Sequence, residues 1–320
     1  MSKIESSKEL FNNSFVSNYY DNYVINNQTS NILEINDAVE FQRIYGSDSH
    51  LRLEGFNRDN KNYIGPLATP HSVIHEILHN LSSSFNTSGK RLLNGIDEKD
   101  GSLLVNEGLT DYLACKISKE EPRTRDYITG VYFFRELDRI INEIYGNNNL
   151  LFEGYISNNT YFLKSFIDNF STYQYKGTVL NYNNFIQLFG YLNKEQMIDM
   201  CKNIELNALK NMKKRILFKS KQKNIDFEKN NELFIVGLIR KAYYDIVYEY
   251  SNYNKEQIEI IMVDLLNNNT QNIPNTSGIK NLLDKAINKC SLLDVVKNNI
   301  DLFNDIDINS IIEKVDSKTY

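Results

Sequence analysis

The segment from Thr69 to His79 constrains this 320-residue chain more than any other. Thr69-Pro70 supplies a helix cap followed by proline at the first helical position, and the residues behind it predict a helix to about Ser83. Within it lies His75-Glu76-Ile77-Leu78-His79, an HExxH motif. Four residues advance a helix by almost one turn, so His75 and His79 share a face, while Ile74, Ile77, Leu78 and Leu81 give the helix apolar faces to bury. Two imidazoles placed this way can hold one zinc ion, with Glu76 beside it to accept a proton from water. The bland alternative is a half-buried histidine pair beside a surface glutamate. It is weakened because the chain has only 4 histidines and the motif takes two of them.

A tripod with an open fourth position needs a third ligand. Downstream lies Val105-Asn106-Glu107-Gly108-Leu109-Thr110-Asp111, on a helix expected from a Ser102 cap to about Ser118. Glu107 and Asp111 are again four apart. One carboxylate can ligate zinc while the other, a turn away, accepts the free ring N–H of a ligand histidine. A solvated helix face is the competing reading of the pair. Gly108 costs about 1 kcal/mol against alanine inside a helix, which implies close packing, with the His75 helix as the expected neighbour.

HEILH followed by NEGLTD resembles the gluzincin class of zinc metallopeptidases, which includes thermolysin-like enzymes and M1-type aminopeptidases. The likeness spans Pro70 to Ile117. It implies Zn2+ bound by His75, His79 and Glu107, Glu76 as general base, and Asp111 oriented toward the first histidine. Asn106, Glu107 and Asp111 match the NExxxD pattern of thermolysin-like members. The chain departs from those families in three ways. There are 27 residues between His79 and Glu107, a longer insert, which a surface loop absorbs at small entropic cost. No histidine follows His79 to stabilise an oxyanion, and the GxMEN motif of the aminopeptidases is absent. Tyrosine serves as that donor in several gluzincins. The candidates are Tyr127, Tyr132, Tyr155 and Tyr161, and Tyr161 is favoured because Asn159-Thr160-Tyr161-Phe162 opens a helix about 50 residues after Glu107. With 21 tyrosines in the chain, each one is individually better explained as a core residue.

Composition bounds the remaining classes. A net charge of -5 argues against a wholly basic nucleic-acid binder, so no nucleic-acid partner is expected. No run of 18 apolar residues predicts a spanning helix, and the polar amino terminus lacks a signal-type apolar core, which gives a cytoplasmic expectation. The 3 cysteines, Cys115, Cys201 and Cys290, are too sparse for a disulfide framework and form no CxxC knuckle. The basic run Lys210, Lys213, Lys214, Arg215, Lys219, Lys221 and Lys223 reads as a solvated helix end. His50 and His71 could in principle bind metal but read more simply as surface residues, His71 sitting one turn before His75 near a cleft entrance.

The expected fold is α+β and mostly helical: a small N-terminal β-containing lobe, a zincin-like HExxH active-site helix and a helical C-terminal region. The expected divisions are residues 1–68, 69–190 and 191–320. Residues 1 to about 40 read as weak strands or a loosely packed arm, and Leu51 to Phe56 alternates like a half-buried strand. Asn62-Tyr63-Ile64-Gly65 reads as the edge strand that would hold an extended peptide, with Gly65 leaving room beside the cleft. Long helices are expected over 127–145, 159–169, 194–210 and 233–250, with loops at 267–278. The tetrad Asn193-Lys194-Glu195-Gln196 recurs at Asn254-Lys255-Glu256-Gln257, too short to define a repeat. The reading that follows is a zinc endopeptidase acting on a peptide or protein substrate, with a protein partner for the C-terminal region. The alternatives are a non-catalytic interaction module stabilised by zinc, or a zinc hydrolase of another amide.

Overall fold

The computed structural model describes residues 2–20, 29–46, 54–58, 61–85, 91–96, 103–121, 127–145, 149–158, 160–217, 222–274 and 278–318. The described chain is mostly helical, with short strands in its first hundred residues. The described residues of the stretch up to 40 are not a loose arm, and only 32–34 form a strand. They begin with helix α1 (Lys3–Asn12), capped by the Ser2 hydroxyl, which accepts from the Glu5 amide. Lys3 donates to the Gly65 and Pro66 carbonyls and the Ser7 hydroxyl donates to the Pro70 carbonyl, so α1 braces the start of the helix that carries His75 and His79. Tyr19 and Tyr20 are buried against Phe152. Polar composition hid this helix, whose stability comes from tertiary packing more than from local propensity.

Strands β1 (Ile32–Glu34), β2 (Gly55–Arg58) and β3 (Lys61–Ile64) form one sheet in the order β1-β3-β2. β3 runs parallel to β1 and antiparallel to β2. The expected edge strand over 62–65 is therefore the central one, with both flanks hydrogen-bonded, and β1 and β2 are the outer strands of the described sheet. Gly65 opens no space either: a side chain there would collide with the Phe41 ring, 2.9 Å away, on helix α2 (Ala38–Tyr45). Residues 51–53 of the other expected strand lie outside the described residues.

Helix α3 (Pro70–Leu81) begins as the sequence predicts. The Thr69 hydroxyl accepts from the Ser72 amide and the Ser72 hydroxyl accepts from the Thr69 amide, a reciprocal capping box. The hairpin of β4 (Ser83–Phe85) and β5 (Arg91–Asn94) follows, then helix α4 (Leu103–Ser118). Helices α5 (Ile128–Tyr145), α6 (Leu150–Ile156) and α7 (Thr160–Phe170) come next, then a two-residue β-hairpin over 174–179 and helix α8 (Tyr182–Leu188). Beyond these lie α9 (Lys194–Leu217), α10 (Gln222–Glu249), α11 (Lys255–Leu266), α12 (Ile279–Ile287), α13 (Leu292–Asn298) and α14 (Ile308–Lys318). One continuous set of buried apolar side chains runs from Phe11 to Val315.

Gly108 does meet a close neighbour, but not α3. A Cβ on Gly108 would lie 3.0 Å from the Gly130 Cα, and one on Gly130 would lie 2.8 Å from the Gly108 Cα. The two glycines let α4 and α5 cross backbone to backbone. The recurring Asn-Lys-Glu-Gln tetrad also has a local cause. Asn193 with Gln196, and Asn254 with Gln257, form the same reciprocal cap at the starts of α9 and α11. No helix among the described residues is long and apolar enough to cross a membrane.

Candidate metal centre

Helices α3 and α4 run antiparallel and share a polar seam inside an apolar interface. Ile74, Ile77, Leu78, Leu109 and Leu113 are fully buried around it. On α3 the seam carries His71, His75 and His79; on α4 it carries Glu107, Asp111 and Cys115. Both sets repeat every four residues, the spacing that keeps a helix face constant.

Three ligand atoms converge at one end. Glu107 Oε2 lies 3.1 Å from His75 Nε2 and 3.3 Å from His79 Nε2, and the two Nε2 atoms are 3.1 Å apart. Zinc bonded to nitrogen and oxygen at about 2.0–2.1 Å in a tetrahedron separates its ligands by about 3.3–3.4 Å. The triangle of side chains therefore fits such an ion. Side-chain exposure is 12% for His75, 7% for His79 and 18% for Glu107, so the cluster opens to solvent on the glutamate side.

The outer ring nitrogens are also held. His75 Nδ1 lies 3.4 Å from Asp111 Oδ1, and His79 Nδ1 lies 3.4 Å from Asn94 Oδ1 at the end of β5. Acceptors at both Nδ1 atoms leave the Nε2 lone pairs aimed inward, as ligand histidines require. Asn94 is a residue that sequence reasoning missed. It sits in the insert between the motifs, and its contact with His79 exists only because β4 and β5 pair. Asn106 helps fix that hairpin, since its Oδ1 accepts from the Ile96 amide at 3.1 Å. Gly95 has φ +58, and a side chain there would run into Asn106 and Tyr155.

Electrostatics follow from this packing. Burial alone would lower the His75 pKa, but hydrogen bonds to Asp111 and Glu107, with the charges of Glu107 and Glu76, outweigh it and raise it well above the usual value of 6.5. Burial would raise Glu107, yet the His79 charge and the bonds from His75 and His79 hold it far below the carboxylate range. Asp111 is likewise lowered: burial opposes, and the bonds from His71 and His75 prevail. The metal-free cluster thus holds charged carboxylates against a cationic histidine.

The other expected residues are placed as follows. Glu76 is buried, and its Cγ lies 3.1 Å from where a Gly55 side chain would begin, which puts β2 over it. Tyr127 stacks on His75, with ring centroids 6.3 Å apart and planes 19° apart. Tyr155 is fully buried with its hydroxyl 2.7 Å from the Thr110 hydroxyl, and Tyr132 lies under the Lys194 ammonium, so both are packing residues. The backbone of Tyr161 begins α7, while its side chain lies outside the described residues, as do His50 and the side chains of the basic run after Lys210.

His71 is not a surface residue. It is buried, with Nε2 2.8 Å from Asp111 Oδ1 and Nδ1 3.3 Å from the Ser118 hydroxyl. His71, Asp111 and Cys115 form a second cluster whose ligand atoms lie within 4.8 Å of one another, the same criterion that His75, His79 and Glu107 meet. Among the described residues, two side-chain clusters are therefore close enough to chelate a metal ion. No family model, curated protein or solved structure matches the chain.

Proposed function

We propose that the chain is a zinc-dependent metallopeptidase, an endopeptidase of the gluzincin type that its HExxH and NExxxD motifs resemble. The observation that carries this reading is the convergence of His75 Nε2, His79 Nε2 and Glu107 Oε2, with Glu76 next to the first ligand on the same helix. Three protein ligands leave a position open, and a purely structural ion has no need of the extra carboxylate.

Zn2+ held by the three residues supplies Lewis acidity. Glu76 takes the proton of the attacking water and passes it to the leaving amine. Its burial beneath β2 keeps the carboxylate out of bulk solvent, where proton transfer is poorly directed. Asp111 and Asn94 hold the two imidazoles in register. The edge of β2 would take an extended peptide through main-chain hydrogen bonds, beside Glu76. Tyr161 remains the proposed donor to the developing oxyanion, and the Tyr127 ring beside His75 makes it the alternative donor.

Incubation of the full chain with a diverse peptide library, followed by mass spectrometry, tests the reading. Internal peptide bonds should be cut, a chelator should stop cleavage, and added zinc should restore it. Of Tyr161→Phe and Tyr127→Phe, the one that removes the donor should lower kcat about 100-fold or more with KM little changed. A zinc-loaded protein that cuts no peptide in the library would remove the peptidase assignment.

A further inference from the structure

We propose that His71, Asp111 and Cys115 form a second, buried site for a transition-metal ion of the zinc class, bound through nitrogen, carboxylate oxygen and thiolate sulfur. The site is independent of the peptidase reading, because it shares no ligand with the first tripod.

The argument starts from the seam between α3 and α4. The first tripod takes two residues one turn apart on α3, His75 and His79, and one on α4, Glu107. The second inverts that pattern, taking two residues one turn apart on α4, Asp111 and Cys115, and one on α3, His71. The same antiparallel contact that closes one triangle closes the other farther along the seam. All three residues of the second triangle are buried.

A plain hydrogen-bond relay from His71 through Asp111 to His75 explains only part of this geometry. It uses Asp111 Oδ1, which lies 2.8 Å from His71 Nε2 and 3.4 Å from His75 Nδ1. Asp111 Oδ2 is left buried with no hydrogen-bond partner. A buried carboxylate oxygen without a partner carries an uncompensated desolvation cost, so it calls for an occupant. A cation at Oδ2 supplies one and leaves Oδ1 free to hold His75.

The neighbours suit an ion of this class. Ser118 Oγ, 3.3 Å from His71 Nδ1, can accept that N–H and leave Nε2 as the ligand lone pair. Cys115 adds the soft donor that favours zinc over magnesium or calcium. Its thiol is pushed up to about 12 by burial and by the Asp111 charge, so the ion must displace the thiol proton, which leaves to solvent. A dication with one thiolate and one carboxylate is then locally neutral, the condition that makes a buried ion tolerable.

Cobalt(II) titration of the metal-free full chain distinguishes the two sites, since the first tripod has no sulfur. Wild-type protein should bind two ions and develop a near-ultraviolet thiolate-to-cobalt charge-transfer band. Cys115→Ser should lose that band and bind one ion, whereas His79→Ala should lose one ion and keep the band. A band with a single ion in wild type supports this site even if the first tripod binds nothing. If Cys115→Ser fails to fold, the double variant Cys201→Ser/Cys290→Ser decides, because a band that it keeps can come only from Cys115 and a band that it loses overturns the site. Absence of the band in wild type overturns the proposal, as does a band that survives Cys115→Ser and so arises from Cys201 or Cys290.

Discussion

Replacing Asn94 by alanine removes the acceptor that faces His79 Nδ1 at 3.4 Å. Nothing in the ligand triangle changes, because Asn94 lies on the outer side of the ring. The loss falls on the orientation and basicity of one imidazole and on long contacts from the Ser82 and Ser83 hydroxyls, which keep the His79 carbonyl as acceptor. Partners of this kind are worth about 10- to 100-fold in metal affinity. The long distance and the uncharged amide place Asn94 near the lower bound, about 10-fold or about 1.4 kcal/mol. Asn94→Asp, which offers a charged acceptor, should bind at least as tightly as wild type. Zinc competition against a chromophoric chelator, with circular dichroism to verify folding, measures both. If folded Asn94→Ala binds zinc within twofold of wild type, the idea that β5 positions His79 is wrong.

Other perturbations separate packing from site chemistry. Gly130→Ala puts a methyl 2.8 Å from the Gly108 Cα, and overpacking against backbone should outweigh the gain in helix propensity for a net loss of about 1–2 kcal/mol in urea unfolding. An unchanged midpoint would contradict the close crossing of α4 and α5. Lys241 on α10 is buried, donates to the Ser83 carbonyl at 2.8 Å and pairs with Asp245 at 3.2 Å; Lys241→Met should cost about 3 kcal/mol, and a neutral effect would show that this bond does not anchor α10 to β4. Metal affinity should rise with pH, because zinc must displace the proton that Asp111 and Glu107 hold on His75. The same raised pKa stabilises the metal-free fold below pH 6.5, and that gain is lost as pH rises through the folded value. A pH-independent zinc affinity would refute the charge assignment.

The parts of the fold that were legible in the sequence are those written in local chemistry. The cap at Thr69-Pro70 and the apolar spacing behind it define α3 to within two residues of its observed end. The four-residue spacing of His75 with His79, and of Glu107 with Asp111, fixes which side chains share a face. What was not legible depends on partners distant in the chain. The order β1-β3-β2 makes residues 61–64 central, and no alternation pattern distinguishes a central short strand from an edge one. Gly108 announces a close approach, but only the tertiary structure names Gly130. Asn94 looks like a loop residue until β4 and β5 pair, and His71 looks like a surface residue until α4 covers it. The helix α1 went unread because its Ser2 cap and its Phe11 are embedded in polar sequence.

The most direct test of the central claim compares wild type with Glu76→Gln, measuring zinc content and peptide cleavage on the same preparations. The proposed function predicts equal zinc in both proteins, with cleavage by wild type alone, since Glu76 follows the proposed ligand His75 but is outside the proposed ligand triangle. Cleavage by Glu76→Gln at the wild-type rate, or a wild-type protein that binds no zinc at the His75, His79 and Glu107 cluster, would contradict it.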